Sequence, residues 1–459
     1  MLTATAQLDE ITTTDLVGSV ARTIGMTAAA EGMPAPVGAL VEIERASGGP
    51  LQAEVIGFNG HLTLLYPFGD LSGVRRGNRV RLCRTKPWLR VGEQLLGRVI
   101  DAQGRCIDGR PEPVRSDRVA IDNIAPTPTS RPRIDTPLST GIRAIDGLLT
   151  CGRGQRMGIF SGSGVGKSTS LGMMARYTDA DVTVVGLVGE RGREVNEFLE
   201  KDLGPEGRAR SVVVVSTSDA PAVLRIRAAL TATSIAEYFR DQGKNVLLLM
   251  DSLTRCAQAQ REIGLAAGEP PTTRGYPPSV FSLLPRIVER AGRTTAGSIT
   301  AFYTVLVEAD DPNEPIGDAV RGLLDGHTWL SRSLASQGHY PAIDVLESLS
   351  RLMSDITPEE QQDAATVLRM LLSAYRDHED LISIGAYRRG SNPTVDLAVD
   401  VREEIHQYLR QRVNERSTIE SARNDLLELI RTCQGRRQGA ANQQRTDTAG
   451  GSPIASNMR

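Results

Sequence analysis

The chain has 459 residues, 40% hydrophobic and 24% charged, with 53 basic against 55 acidic side chains and a formal net charge of −2. That balance belongs to a globular protein with apolar material for a sizeable core. It excludes a disordered chain and a polyanion-binding one, so nucleic acid is not an expected partner.

At this length roughly two to four domains are expected. Cys83, Cys106, Cys151, Cys256 and Cys433 lack the close pairing of a zinc site, and an odd number fits a disulfide framework badly, which points to a reducing cytoplasm. The opening MLTATAQLDE has no basic region before an apolar stretch. No segment approaches the roughly 20 apolar residues that cross a bilayer, so membrane contact is expected to be peripheral or supplied by partners.

Residues 1–36 read as a short amphipathic helix carrying Leu8, Ile11, Leu16 and Val20, or equally as a frayed terminus. Short β-rich runs then fill residues 37–118 (LVEIE, AEVIGF, HLTLLYPF, RVRLC, LLGRVID) between Gly, Pro and Asn turns, the pattern of a small β-barrel. Residues 119–140 include the Pro-rich APTPTSRPRIDTP and read as an extended linker. In residues 141–356 apolar strands alternate with helical patterns, which predicts an α/β domain with a parallel sheet and flanking helices. Residues 357–433 carry helical periodicity through Ala364, Val367, Leu368, Leu371 and Leu372 and form a C-terminal helical domain. Residues 434–459 are polar, Gly-rich and expected to be disordered.

Three sites carry chemistry. Ser161, Gly162, Ser163, Gly164, Val165, Gly166, Lys167, Ser168 and Thr169 lie between the apolar MGIF and a helical pattern. Small residues let backbone N–H groups wrap phosphates at a helix N-terminus, while Lys167 reaches the β/γ-phosphates of ATP and Ser168 offers a Mg²⁺ ligand. Ser161 stands where the P-loop pattern has its first glycine, a position that sets the turn. One strand on, VTVVGLV runs into Glu190, either a carboxylate that polarises the attacking water or a surface acid paired with Arg191 or Arg193. The third run, VLLLM, ends in Asp251, the Walker B acid that holds Mg²⁺, with Arg255 four residues on, near the same pocket or on a helix surface. Tyr340 offers a ring to stack on adenine or fills a core or turn. Arg351 is an arginine finger entering a neighbour's site or a surface charge.

The order barrel, GSGVGKS, GERGREV, LLLMDSLTR, EPPTTRGYPPSVFSLLPRIVERAG, SITAFYTVLVEADD, LDGHTWLSR, HYPAID, SLSR resembles the ATPase of flagellar and type III secretion export, a relative of the rotary ATP synthase catalytic subunit. The resemblance implies a RecA-like core behind the barrel and ahead of the helical domain. It implies that Lys167 and Ser168 bind phosphate and Mg²⁺, Glu190 is catalytic, Arg191 and Arg255 contact phosphates, Tyr340 stacks on adenine and Arg351 is the finger. It further implies a homohexamer at the cytoplasmic face of an export apparatus. Its implied partners are a stator-like negative regulator near the N-terminus, a central coiled-coil stalk, the export gate, and export substrates with their chaperones. An RNA-translocating hexamer is the first rival, but the barrel region holds few stacking aromatics (Phe58, Tyr66, Phe68, Trp88) and mixed charge. A non-hydrolysing structural subunit is opposed by Glu190. An ATP synthase catalytic subunit or an injectisome ATPase keeps the fold and changes the task.

Overall fold

The computed structural model describes residues 16–307 and 314–449. Six antiparallel strands close the N-terminal barrel in the order β1-β2-β5-β4-β3-β6. They are β1 (Val17–Ile24), β2 (Thr27–Glu31), β3 (Leu40–Ile43), β4 (Leu51–Asn59), β5 (Leu62–Pro67) and β6 (Arg79–Arg84). In β6 the buried Val80 and Leu82 alternate with exposed arginines, the one-sided burial of antiparallel strands.

Both expected edges of the barrel move. It begins at Val17 rather than residue 37, because the stretch read as a helix face or a frayed end pairs as the β1–β2 hairpin. Ala28, Ala29 and Ala30 are buried in β2, and pairing with β5 overrides alanine's helix preference. Leu8 and Ile11 lie outside the described residues. At the other edge, β7 (Trp88–Val91) and β9 (Asp117–Ala120) form a separate ribbon. The expected barrel strand in LLGRVID becomes β8 (Val99–Asp101), parallel to β14 (Ser211–Thr217) of the central sheet. Its Val99 and Ile100 are both buried, a two-sided burial that suits a parallel sheet better than a barrel wall. Arg98 anchors this edge through two 2.8 Å bonds to Asp108, whose carboxyl that guanidinium holds far below the usual range.

The Pro-rich stretch lies along the central domain, with Arg131 donating to the carbonyls of Ala291 (3.0 Å) and Glu289 (2.5 Å). It leads into β10 (Pro137–Leu138), paired with β11 (Cys151–Gly152). The central sheet runs β19-β18-β12-β17-β15-β13-β14-β8. Its remaining strands are β12 (Arg156–Ser161), β13 (Val182–Glu190), β15 (Asn245–Asp251), β17 (Ser298–Leu306), β18 (Gly326–Leu330) and β19 (Ile343–Ser350), with β16 (Gly292–Arg293) hung on β17. The pairs from β18 through β12, β17, β15, β13 and β14 to β8 are all parallel, whereas β19 on β18 and β16 on β17 are antiparallel. Every residue of β13 is buried, because helices cover both faces. On one face the helix Ala222–Asp241 presents Glu237, which pairs with the buried Arg290 at 2.6 Å.

The C-terminal domain consists of helices Glu359–Ser383, Pro393–Asp400, Arg402–Leu409 and Ile419–Ala449. The last helix continues through the first part of the expected disordered tail; its Arg, Gln and Ala residues are adequate helix formers once a packed segment has nucleated the helix. Residues 450–459 lie outside the described ones. The domain docks on helix Arg143–Leu148, where Arg143 donates to the carbonyls of Tyr408 (2.8 Å) and Arg410 (2.7 Å) and Gln361 donates to that of Gly147 (3.0 Å). Contact is so close that a Cβ at Gly147 would overlap the Tyr408 hydroxyl.

Candidate active site

β12 delivers the P-loop. Ser161 is its last strand residue, its carbonyl accepting from the Val307 N–H at 3.0 Å and its hydroxyl buried without a partner among the described residues. Gly162 is buried, Ser163 and Gly164 are exposed, and Val165 is driven into the core, which pins the loop. Gly164 (φ 78°) and Gly166 (φ 90°) adopt left-handed backbone that a side chain would strain. Gly166 caps the helix Lys167–Tyr177, whose first turn holds Lys167, Ser168 and Thr169. The N–H groups of that turn have no intrahelical acceptor, and with the helix dipole they make an anion site.

Two strands end in acids beside this loop. The Lys167 ammonium lies 2.5 Å from Asp251 Oδ1 and 3.6 Å from Glu190 Oε1. β17 lies between β12 and β15, and its Thr304 hydroxyl donates to Asp251 Oδ1 at 2.7 Å. Burial and the neighbouring Asp251 charge push the Glu190 carboxyl up to about 7, against the pull of Lys167. Burial disfavours the charged Lys167, yet Asp251 and Glu190 outweigh it and raise the pKa above the ordinary lysine value.

The other expected residues divide. Arg255 packs across Gly189, where an added Cβ would stand 3.0 Å from it, and its buried Nε has no partner among the described residues. Tyr340 is half exposed with its ring against Gly166, an added Cβ there lying 3.5 Å from the ring. It borders a cleft of about 720 Å³ running from Thr169 and Met173 to the C-terminal segment around Gln411 and Val413. Arg191 is not brought in: it caps the helix Gly192–Glu197, and its side chain, 78% exposed, pairs with Glu194 at 3.2 Å. Arg351 is exposed and lies at the opposite end of the sheet. Ser161 of β12 aligns with Leu330 and through it with Ile343 at the start of β19, whereas Ser350 aligns with Gly326 and Met157. The length of β19 thus puts Arg351 roughly 20 Å from its own P-loop.

The match runs domain by domain. The model of the ATP synthase alpha/beta family, nucleotide-binding domain, matches residues 141–350, and that of the family's beta-barrel domain matches residues 20–84. The T3SS EscN ATPase C-terminal domain matches residues 357–428. The flagellum-specific ATP synthase of Bacillus subtilis is 51% identical over 407 residues, covering 88% of this chain and 93% of that protein. The chain belongs to the flagellum-specific and type III secretion branch of the ATP synthase alpha/beta family. It is an ATP-hydrolysing enzyme. In the same branch, the type 3 secretion system ATPase of Xanthomonas euvesicatoria is 51% identical over 405 residues, covering 88% of this chain and 92% of that one. The assembled ATPase EscN of enteropathogenic E. coli, in complex with its central stalk EscO, superposes with a TM-score of 0.84 at 45% identity over 90% of this chain and 100% of that chain.

Two features of the site escaped sequence reading. The far wall of the cleft comes from the C-terminal domain, where Gln411 donates to the carbonyl of Gly141 (2.8 Å) and accepts from the Arg143 N–H (2.8 Å). No local motif marks a glutamine that meets the P-loop domain some 270 residues away. Thr304 sits in an apolar strand whose pattern signals only burial.

Proposed function

We propose that this ATPase drives export of flagellar proteins as a homohexameric ring at the cytoplasmic face of the inner membrane, each site being completed by Arg351 of a neighbouring subunit. The observation that carries this reading is the placement of Arg351, at the opposite end of the sheet from its own Lys167, Glu190 and Asp251 and exposed where a second subunit can receive it.

Within a subunit, the loop from Gly162 to Gly166 and the first helical turn hold the ATP phosphates through backbone N–H groups, and Lys167 turns from Asp251 to the β/γ-phosphates. Glu190, whose burial makes it a proton acceptor near neutral pH, takes the proton of the attacking water. Tyr340 supports the adenine. Arg255, which packs over Gly189 and donates to Gln258 Oε1 at 3.2 Å, contacts the phosphates by turning from Gln258, and Arg191 reaches them only by leaving Glu194. Ser168 and Asp251 supply the hard oxygen donors that suit Mg²⁺, and the buried Glu190 Oε1, without a hydrogen-bond partner among the described residues, marks the same spot as built for a further polar group. Mg²⁺, when bound, neutralises charge on the phosphate oxygens.

A central coiled-coil stalk is a partner in the proposed ring, and the assembled EscN in complex with its central stalk EscO supports a stalk there. A stator-like negative regulator near the N-terminus, the export gate, and export substrates with their chaperones complete the proposed set. An injectisome role is the second reading, favoured by the equal 51% identities to the flagellar and type 3 secretion relatives. Deleting the gene separates the two: loss of flagellar filaments supports the first, and intact motility with lost effector secretion supports the second.

The ring is tested by the ATPase rate per subunit against protein concentration, with native mass spectrometry alongside, for wild type and Arg351→Ala. Activity that rises with hexamer formation and collapses in the variant is expected. Activity independent of assembly rejects the shared site.

A further inference from the structure

Asp251 Oδ1 is held from two sides, by the Lys167 ammonium at 2.5 Å and by the Thr304 hydroxyl at 2.7 Å. Thr304 is fully buried in β17, the strand between the P-loop strand and the Asp251 strand, and pairs in register with Ile159. Its single proton has two acceptors in reach, and the charged Asp251 oxygen at 2.7 Å outcompetes the Met250 carbonyl at 3.4 Å.

These two donors differ in what nucleotide does to them. Lys167 is on a flexible stem and serves the phosphates when ATP is bound, so it leaves the carboxylate at the moment the carboxylate is used. Thr304 is β-branched and locked in a central strand, where it has nowhere to go. With Lys167 withdrawn, Thr304 is the side chain that, among the described residues, still holds Oδ1.

We infer that Thr304 is a positioning residue that holds the Asp251 carboxylate in its Mg²⁺-facing orientation through the nucleotide cycle. This rests on Asp251 facing Mg²⁺, and a merely structural Thr304, present to satisfy a buried acceptor, is the rival. The two differ in what Mg²⁺ reports. A metal-orienting partner alters Mg²⁺ dependence, while a structural one alters stability alone.

The test is equilibrium binding of a fluorescent ATP analogue to the full chain, with and without Mg²⁺, beside steady-state kinetics, for wild type, Thr304→Val, Thr304→Ser and Asp251→Asn. Thr304→Val is expected to leave Mg²⁺-free nucleotide binding within about two-fold, raise the Mg²⁺ concentration for half-maximal tightening about five-fold or more, and lower kcat about ten-fold with KM nearly unchanged. Thr304→Ser, which keeps the hydroxyl, restores all three. If Thr304→Val does not fold, Thr304→Ala takes its place, since it removes the same hydroxyl and only leaves a small void. A hydroxyl-less variant with wild-type Mg²⁺ dependence overturns the inference while Asp251→Asn still abolishes the Mg²⁺ response. If Asp251→Asn also leaves that response intact, the reading of Asp251 fails and the inference falls with it.

Discussion

Glu190 is an acid that the fold keeps from ionising easily, and the sign of that effect makes it testable. Its pKa in the native chain, about 7, stands above the ordinary 4.5, so the folded state holds this proton more tightly than the unfolded chain. Its contribution is therefore most favourable below pH 4.5 and is lost as pH rises through 7. Glu190→Gln is expected to raise the denaturant-derived stability at pH 8 by on the order of 2 kcal/mol while changing it little at pH 4.5. Under the proposed role catalysis runs the other way, because a general base at Glu190 must be ionised: kcat/KM of the wild type should then fall about ten-fold per unit below pH 7. Loss of the carboxylate should cost about two to three orders of magnitude in kcat with nucleotide binding retained. Turnover within a few-fold of wild type would remove Glu190 from the role.

Single elements were legible where one local pattern decides them. The P-loop was readable because a small-residue run between strand and helix has one structural meaning, and β13 and β15 were readable because unbroken apolar runs mark strands covered on both faces. β8 reads as a barrel strand because three strand residues carry no signal about which sheet receives them, and β2 lies in a stretch whose few spaced apolar positions fit a helix or a frayed end until a partner strand pairs with it. The same distinction governs Arg290, an arginine in a conspicuous block whose burial only the packed helices create. It bonds Glu237 at 2.9 and 2.6 Å and Ser234 at 2.8 Å, while Asn123 bonds Glu237 at 2.8 Å. Glu237→Ala leaves that guanidinium buried and uncompensated, and it should cost about 3–5 kcal/mol in chemical denaturation. Glu237→Leu combined with Arg290→Met should recover most of the loss. Equal destabilisation of the single and double variants would show that packing, rather than the charge pair, sets the cost.

For the whole molecule the decisive question is whether catalytic groups are shared between copies. If Glu190 is the base and Arg351 the finger in trans, as proposed, Glu190→Gln and Arg351→Ala should each form inactive rings alone. Mixed one to one and assembled together, the two should recover about a quarter of wild-type activity, because random mixing places an intact Glu190 beside a neighbour's intact Arg351 at about one interface in four. No recovery, in rings that native mass spectrometry shows to be mixed, would assign Arg351 to its own subunit or to structure.

The sequence by itself determined what is written in neighbouring residues: the phosphate loop, the acids at strand ends, the succession of barrel, parallel sheet and helices. These are local because strand burial, glycine conformation and helix starts depend on a few adjacent positions. Only the tertiary structure decided that Thr304 meets Asp251, that Gln411 closes the cleft, that Arg191 turns outward and that Arg351 lies beyond its own site. Those facts depend on strand order and on the docking of the C-terminal domain. Contacts between distant residues follow from how whole faces bury one another, which no short stretch of sequence encodes.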